Sequence, residues 1–106
     1  PSAAAASECA RARTPLVLVN REIAGRRASS VTCDNAQIGR DLAALVTGAG
    51  YRRIAIVQGD PTAITSVERT TALREAVEAV RGARIVAHVT GTFGYDPGRA
   101  AIASLW

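Results

Sequence analysis

The sequence contains no lysine and no methionine, a single histidine (His88), and four aromatic residues, Tyr51, Phe93, Tyr95 and Trp106. Without lysine, all 13 positive side chains are arginines, and they carry the net charge of +4. They are scattered, and the pairs Arg26–Arg27 and Arg52–Arg53 sit among apolar or polar stretches. A duplex-reading surface needs a clustered basic face, or a recognition helix with polar readers beside it. Neither is present, so the arginines read as solvated surface charge. Scarce aromatics leave the core to Ala, Val, Ile and Leu, so that an exposed ring calls for an explanation. Cys9 and Cys33 lie far apart with no CxxC and no histidine nearby. That excludes a zinc site and a disulfide framework, and leaves two buried thiols or one bridge. No apolar run approaches the length of a membrane span. The opening "PSAAAASECARA" lacks the basic start and apolar centre of a signal peptide.

What is present alternates along the chain. Residues 2–12 suit an Ala-rich helix. "PLVLVN" (15–20) is a continuous apolar run of the kind found in strands covered on both faces. "REIAGRRA" reads as a loop and "SSVTC" (29–33) as a short strand. Residues 35–49 place Ile38, Leu42, Leu45, Val46 and Ala49 on one helical face, and Gly48 and Gly50 stop that helix. "RIAIVQG" (53–59) is a buried strand. Thr65 and Glu68 have capping-box spacing for a helix at 66–81, with Leu73, Ala76, Val77 and Val80 inward and Gly82 beyond its end. "ARIVAHV" (83–89) is a further strand, and Asp96 with Pro97 looks like an N-cap and first-turn proline. The alternation predicts an α/β fold, a parallel sheet with flanking helices. The chain opens in one helix-like stretch and stops inside another, as a piece of a longer protein would.

In open parallel sheets ligands bind beyond the carboxyl ends of the strands, which confines the search to four loops. Arg69 falls in the first turn of its expected helix, where the dipole disfavours a cation. It therefore faces either a carboxylate, such as Glu68, Asp60 or Asp34, or a ligand rich in oxygen. Phe93, in a Gly/Thr loop, either folds back over the core or offers a ring to a flat or sugar-like ligand. His88 alternates within its strand and reads as a residue making an ordinary hydrogen bond. No GxSxG, HExxH or GxxxxGK[ST] occurs, and "GAG" (48–50) ends a helix where a phosphate loop would begin one.

The succession "PLVLVNR", "SVTCDNAQIGRDLAALVTGAGYRRIAIVQGD", "SVERTTALREAV" and "TGTFGYDPGRAA" resembles the effector-binding domain of LacI/GalR-type bacterial transcriptional regulators. The likeness spans about residues 15–106, and its motifs are specific as an ordered set. It implies a two-lobed type I periplasmic-binding-protein-like fold. Residues 1–33 would be the C-terminal part of the N-terminal lobe, and 34–106 the first part of the C-terminal lobe. It also implies a small-molecule effector, often a sugar, in the cleft between lobes. Operator DNA would be read only through a helix-turn-helix outside this chain, in a cytoplasmic homodimer without cofactor or membrane contact. Position by position, Arg69 matches the effector-binding arginine of the family's S-x-x-x-R-x-x-G region, with Ala72 where glycine is usual. Phe93 matches the stacking aromatic, Asp34 the acid of the "DN" pair, and Gln37 a position near the cleft. Asn35 is expected to cap the helix. Ile38 stands where Gly or Ala is common, and Tyr51 replaces a commoner histidine.

Two other readings compete. A periplasmic sugar-binding protein of an ABC transporter shares the fold and the cleft. A small α/β enzyme would need a phosphate-binding glycine loop after the first strand, which "NREIAGRR" does not supply.

Overall fold

A computed structural model describes residues 3–23 and 28–106. The chain divides into two compact units, residues 1–33 and 34–106. The first holds α1 (Ala3–Arg11), β1 (Val17–Val19) and β2 (Ser29–Val31), whose strands pair in parallel with Leu18 opposite Ser30. Residues 24–27 of the expected loop, and Ser2 of the expected helix, lie outside the described residues. Leu18 is buried while Val17 and Val19 are exposed. Among the described residues, then, β1 is covered on one face, not two. Asn20 closes the strand in the left-handed region (φ 54), where asparagine is tolerated, and its N–H reaches Val31 O at 2.7 Å.

The second unit holds α2 (Asn35–Gly48), β3 (Arg53–Gln58), α3 (Ile64–Glu78), β4 (Arg84–Thr90) and α4 (Tyr95–Ala103). β3 and β4 pair in parallel, with a register shift at Ile54/Ala55 that sets Ile56 beside His88 and Gln58 beside Thr90. A parallel pair needs a crossover, and α3 supplies it. The two sheets, each of two parallel strands, with α3 and α4 packed beside the second, make the α/β architecture that the alternation predicts. On β3, Ile56 and Gln58 are buried while Ala55 and Val57 are exposed, so this strand too is covered on one side.

The main packing surface joins α2 to α3, and its composition differs from expectation. The buried stripe of α2 is Asn35, Gly39, Ala43 and Thr47, spaced four residues apart. Leu42 and Leu45, expected inside, are exposed, and Ile38 is half-buried. The reason is close approach. A methyl group at Gly39 would run into the Arg69 carbonyl oxygen, the Leu73 nitrogen and the Ala72 methyl. Helices that near each other accept small residues along the contact, and the large ones are pushed to the flanks. Thr47 satisfies its hydroxyl on Ala43 O at 2.7 Å, and Val77 fills the α3 side with no exposed surface. The expected inner face of α3 holds, with Val77 buried and Leu73, Ala76 and Val80 half-buried, and buried Ser66 and Ala72 join it.

Three helix starts and the two cysteines also differ from expectation. Asp34, not Asn35, caps α2, its Oδ1 accepting from Gln37 N at 2.9 Å. α3 begins at Ile64 after Ala63 with no side-chain cap, so Thr65 and Glu68 form no capping box. α4 is preceded by Gly94 and not by Asp96, which lies in its first turn. Cys9 is half-buried and Cys33 exposed, not a buried pair. The glycine stops hold: Gly50 and Gly82 adopt φ of +93° and +78° just past α2 and α3. The Asp34 cap gives a direct prediction. Asp34→Ala should cost about 1 kcal/mol, a fall of about 4–8 °C in melting temperature. Asp34→Ser, which keeps an accepting oxygen, should restore most of it in a thermal melt.

Candidate functional site

The carboxyl ends of β3 and β4 open onto two loops whose shape the sequence dictates. After β3, Gly59 is followed by Asp60, whose Oδ1 accepts from Thr62 N (2.8 Å) and Thr62 Oγ1 (2.6 Å). This side-chain turn aims the chain into α3. After β4, Gly91 N bonds back to Gln58 O at 3.1 Å, and the chain then runs through Thr92 and Phe93 into α4.

These loops and the start of α2 hold the residues singled out by sequence. Arg69 lies in the second turn of α3, one turn later than expected, because the helix begins at Ile64. The dipole penalty falls off beyond the first turn, so the position alone is less anomalous than it looks in sequence. Its surroundings are more telling. Arg69 Nη2 donates to Asn35 Oδ1 at 2.6 Å, across the α2–α3 contact. The salt bridges among the described residues join Glu8 to Arg11 and Arg74 to Glu78, and Arg69 belongs to neither. Arg69 Nε is buried with no hydrogen-bond partner. A buried donor left without an acceptor costs about 1–3 kcal/mol. The guanidinium is thus anchored at one nitrogen, unneutralised by any described carboxylate, and short of an acceptor.

Phe93 is 72% exposed, so it does not cover the core. Its ring lies against the backbone of Gly59: a methyl group there would overlap Cε1, Cδ1 and Cζ. The Cδ1–Cε1–Cζ edge of the ring lies against Gly59, just past β3, and most of the ring is exposed, which leaves it open to stacking. Only a residue without a side chain leaves this space.

Asp34 and Gln37 are exposed at the start of α2. Asp34 Oδ1 is committed to the cap. The Gln37 carboxamide is engaged along its own helix, donating to Asp41 Oδ1 at 2.7 Å and accepting from Arg40 Nε and Nη2 at 3.1 and 2.9 Å. The structure therefore joins Arg69 to Asn35 and Phe93 to Gly59, and draws Gln37 into neither pair. Asn35, expected only to cap α2, and Gly59, one residue of the loop after β3, are the contacts that residue type alone did not single out. Their signals were present: an asparagine at the head of a small-residue stripe, and a glycine at a strand end.

His88 makes the ordinary hydrogen bonds expected of it. Nε2 pairs with Gln58 Oε1 and Nδ1 with Arg74 Nη2, both at 2.8 Å. An arginine only donates, so Nδ1 accepts and Nε2 carries the proton. These residues border a groove of about 340 Å³ beside α3. Among the described residues no cluster of His, Cys, Asp and Glu is arranged to hold a metal ion, and no helix is long and apolar enough to cross a membrane.

No protein-family model and no curated protein matches this sequence. Solved structures do. The Caulobacter myo-inositol binding protein bound to myo-inositol is 27% identical, with a TM-score of 0.74, over 90% of this chain and 34% of its own. The Cra transcriptional dual regulator from Pseudomonas putida, in complex with fructose 1-phosphate, superposes with a TM-score of 0.81 at 22% identity, over 95% of this chain and 37% of its own. The periplasmic component of the arabinose ABC transporter from Shewanella sp. ANA-3 gives 0.80 at 24%, over 93% and 35%. The fold is periplasmic-binding-protein-like, of type I. The chain spans about a third of the length of each of these structures. Regulators and transport proteins share the fold, so it does not by itself distinguish the two roles.

Proposed function

We propose that this chain is the ligand-sensing part of a two-lobed sugar receptor, the effector-binding region of a bacterial transcriptional regulator of the LacI/GalR type. Residues 1–33 belong to its N-terminal lobe and 34–106 begin its C-terminal lobe. The effector, a sugar or related metabolite, is bound by Arg69 and Phe93, with Asp34 and Gln37 contributing from the start of α2. Binding biases a two-state equilibrium that alters operator affinity. The operator is read by a helix-turn-helix elsewhere in a cytoplasmic homodimer. No chemical step and no cofactor is involved.

One observation carries this reading. Past β3 the chain holds a half-buried arginine whose one hydrogen bond among the described residues goes to Asn35 and whose buried Nε lacks an acceptor, and past β4 a phenylalanine ring left mostly exposed. A guanidinium for hydroxyl or phosphate oxygens and an apolar ring for a C–H face are the two kinds of group that a sugar site uses. The solved neighbours that carry sugars, in both a regulator and binding proteins, support the same ligand class.

A second reading, a periplasmic sugar-binding protein, is favoured by the higher identity to the myo-inositol binding protein, 27% against 22% for the regulator. A helix-turn-helix of about 60 residues in the same polypeptide identifies a regulator, and a cleaved signal peptide a transport protein. The ligand class is tested by thermal shift of the full-length protein with myo-inositol, L-arabinose, fructose and fructose 1-phosphate. A sugar at 100 times its Kd stabilises by about 2.7 kcal/mol, so at least one should raise the melting temperature by several degrees. A flat response to all four contradicts a sugar receptor. With the responding sugar, Phe93→Ala should weaken binding more than it lowers the melting temperature, since most of the ring is exposed. Gly59→Ala, which displaces the ring, should act in the same direction.

A further inference from the structure

Asn35 is the most buried polar residue described, at 2% exposure, and it opens α2 without capping it. An asparagine so placed needs partners, because burying an unpaired amide is costly. Its Oδ1 takes the 2.6 Å hydrogen bond from Arg69 Nη2, spanning 34 residues of sequence. Gly39, one helical turn on, lies directly against the Arg69 carbonyl, so the backbone of α3 is held at the same level as its side chain. Arg69 is therefore gripped twice, at its main chain by the glycine contact and at its guanidinium by Asn35. A free arginine side chain samples many rotamers, and fixing it in advance removes that loss from binding.

We propose that Asn35 is a positioning residue: it governs ligand affinity by holding the Arg69 guanidinium in place, without itself touching the ligand. The proposal rests on the reading of Arg69 as a ligand contact. It differs from that reading in assigning binding energy to a buried residue behind the site. Asn35 Oδ1 occupies an Nη2 hydrogen and leaves those of Nη1 for the ligand, since the bond to Asn35 is the one hydrogen bond that Arg69 makes among the described residues. A guanidinium fixed in this way favours a ligand with oxygens spaced for a planar donor, such as neighbouring hydroxyls or a phosphate.

The test has a ligand-free arm and a ligand arm, both on the full-length protein. In nitrogen-resolved NMR of arginine-labelled protein, the Arg69 Nη2 hydrogens should give distinct, slowly rotating signals in the wild type. They should collapse to an averaged signal in Asn35→Ala and remain distinct in Asn35→Asp, which keeps the accepting oxygen. Signals unchanged in Asn35→Ala overturn the proposal without touching the assignment of Arg69. In calorimetry with whichever of myo-inositol, L-arabinose, fructose and fructose 1-phosphate binds the wild type, Asn35→Ala should weaken binding about tenfold. The double variant Asn35→Ala/Arg69→Ala should be no weaker than Arg69→Ala alone. Losses that multiply in the double variant overturn the proposal and leave Arg69 a contact. Unchanged affinity in Arg69→Ala, or binding of none of the four compounds, overturns the underlying reading and this one with it.

Discussion

Arg69→Ala in the two-lobed protein is expected to weaken sugar binding by about 2–4 kcal/mol, a loss of about 30- to 1,000-fold in Kd. The magnitude follows from the kind of bond. Charge-assisted hydrogen bonds in a desolvated site are about twice as strong as neutral ones, and a guanidinium makes more than one. A solvated surface arginine would contribute less than about 1 kcal/mol. Arg69 is not of that kind, being half-buried, anchored to Asn35, and left with a buried Nε lacking an acceptor. Folding stability should change far less, because the substitution removes an unsatisfied buried donor, Nε, while also taking from Asn35 Oδ1 its hydrogen bond, and the two effects oppose each other. Isothermal calorimetry and a thermal melt on the same variant separate the two. Unchanged affinity removes Arg69 from the site.

The second large effect is expected at Gly39. Two terms oppose each other in Gly39→Ala. Alanine is favoured over glycine inside a helix by about 1 kcal/mol. Against that, the new methyl meets the backbone of α3 at Arg69 and Leu73, which has no rotamer to escape into. Overpacking of this kind costs about 1–3 kcal/mol, more when backbone must move. The packing term wins, so the alanine variant should melt lower despite its better helix former. Gly39→Val adds two methyl groups and gives up the propensity gain. It should lose more than about 3 kcal/mol, a large fraction of the 5–15 kcal/mol that stabilises a typical domain. Chemical denaturation with a common slope measures it. A glycine kept only for flexibility predicts the reverse order, with alanine more stable than wild type.

These two residues also mark where sequence reading succeeded and where it did not. Strands and helices alternate as expected, and every expected strand and helix is present with ends within a few residues. Continuous apolar runs and glycine stops are local signals, and local signals suffice for element order. The face of α2 that packs was misassigned. Hydrophobic periodicity selects Ile38, Leu42 and Leu45, whereas a close helix contact selects Asn35, Gly39, Ala43 and Thr47 for their small size. Nothing in α2 alone says how near α3 will come. Asp34 and Asn35 are equally good caps by type, and one residue of register decides which accepts from the helix N–H and which turns inward to Arg69. Arg69 and Phe93 were identifiable as candidates because each breaks a local rule. Asn35 and Gly59 break none, since their importance arises from what they touch.

The central claim is that one arginine and one ring, set in place by Asn35 and Gly59, bind a sugar. A crystal structure of the two-lobed protein with its sugar tests that most directly. It should show ring or phosphate oxygens of the ligand within hydrogen-bond distance of the Arg69 guanidinium, Phe93 stacked on a face of the sugar, and Asn35 still holding Nη2 from behind. A sugar bound away from Arg69 and Phe93, with both side chains left as they are here, would contradict it.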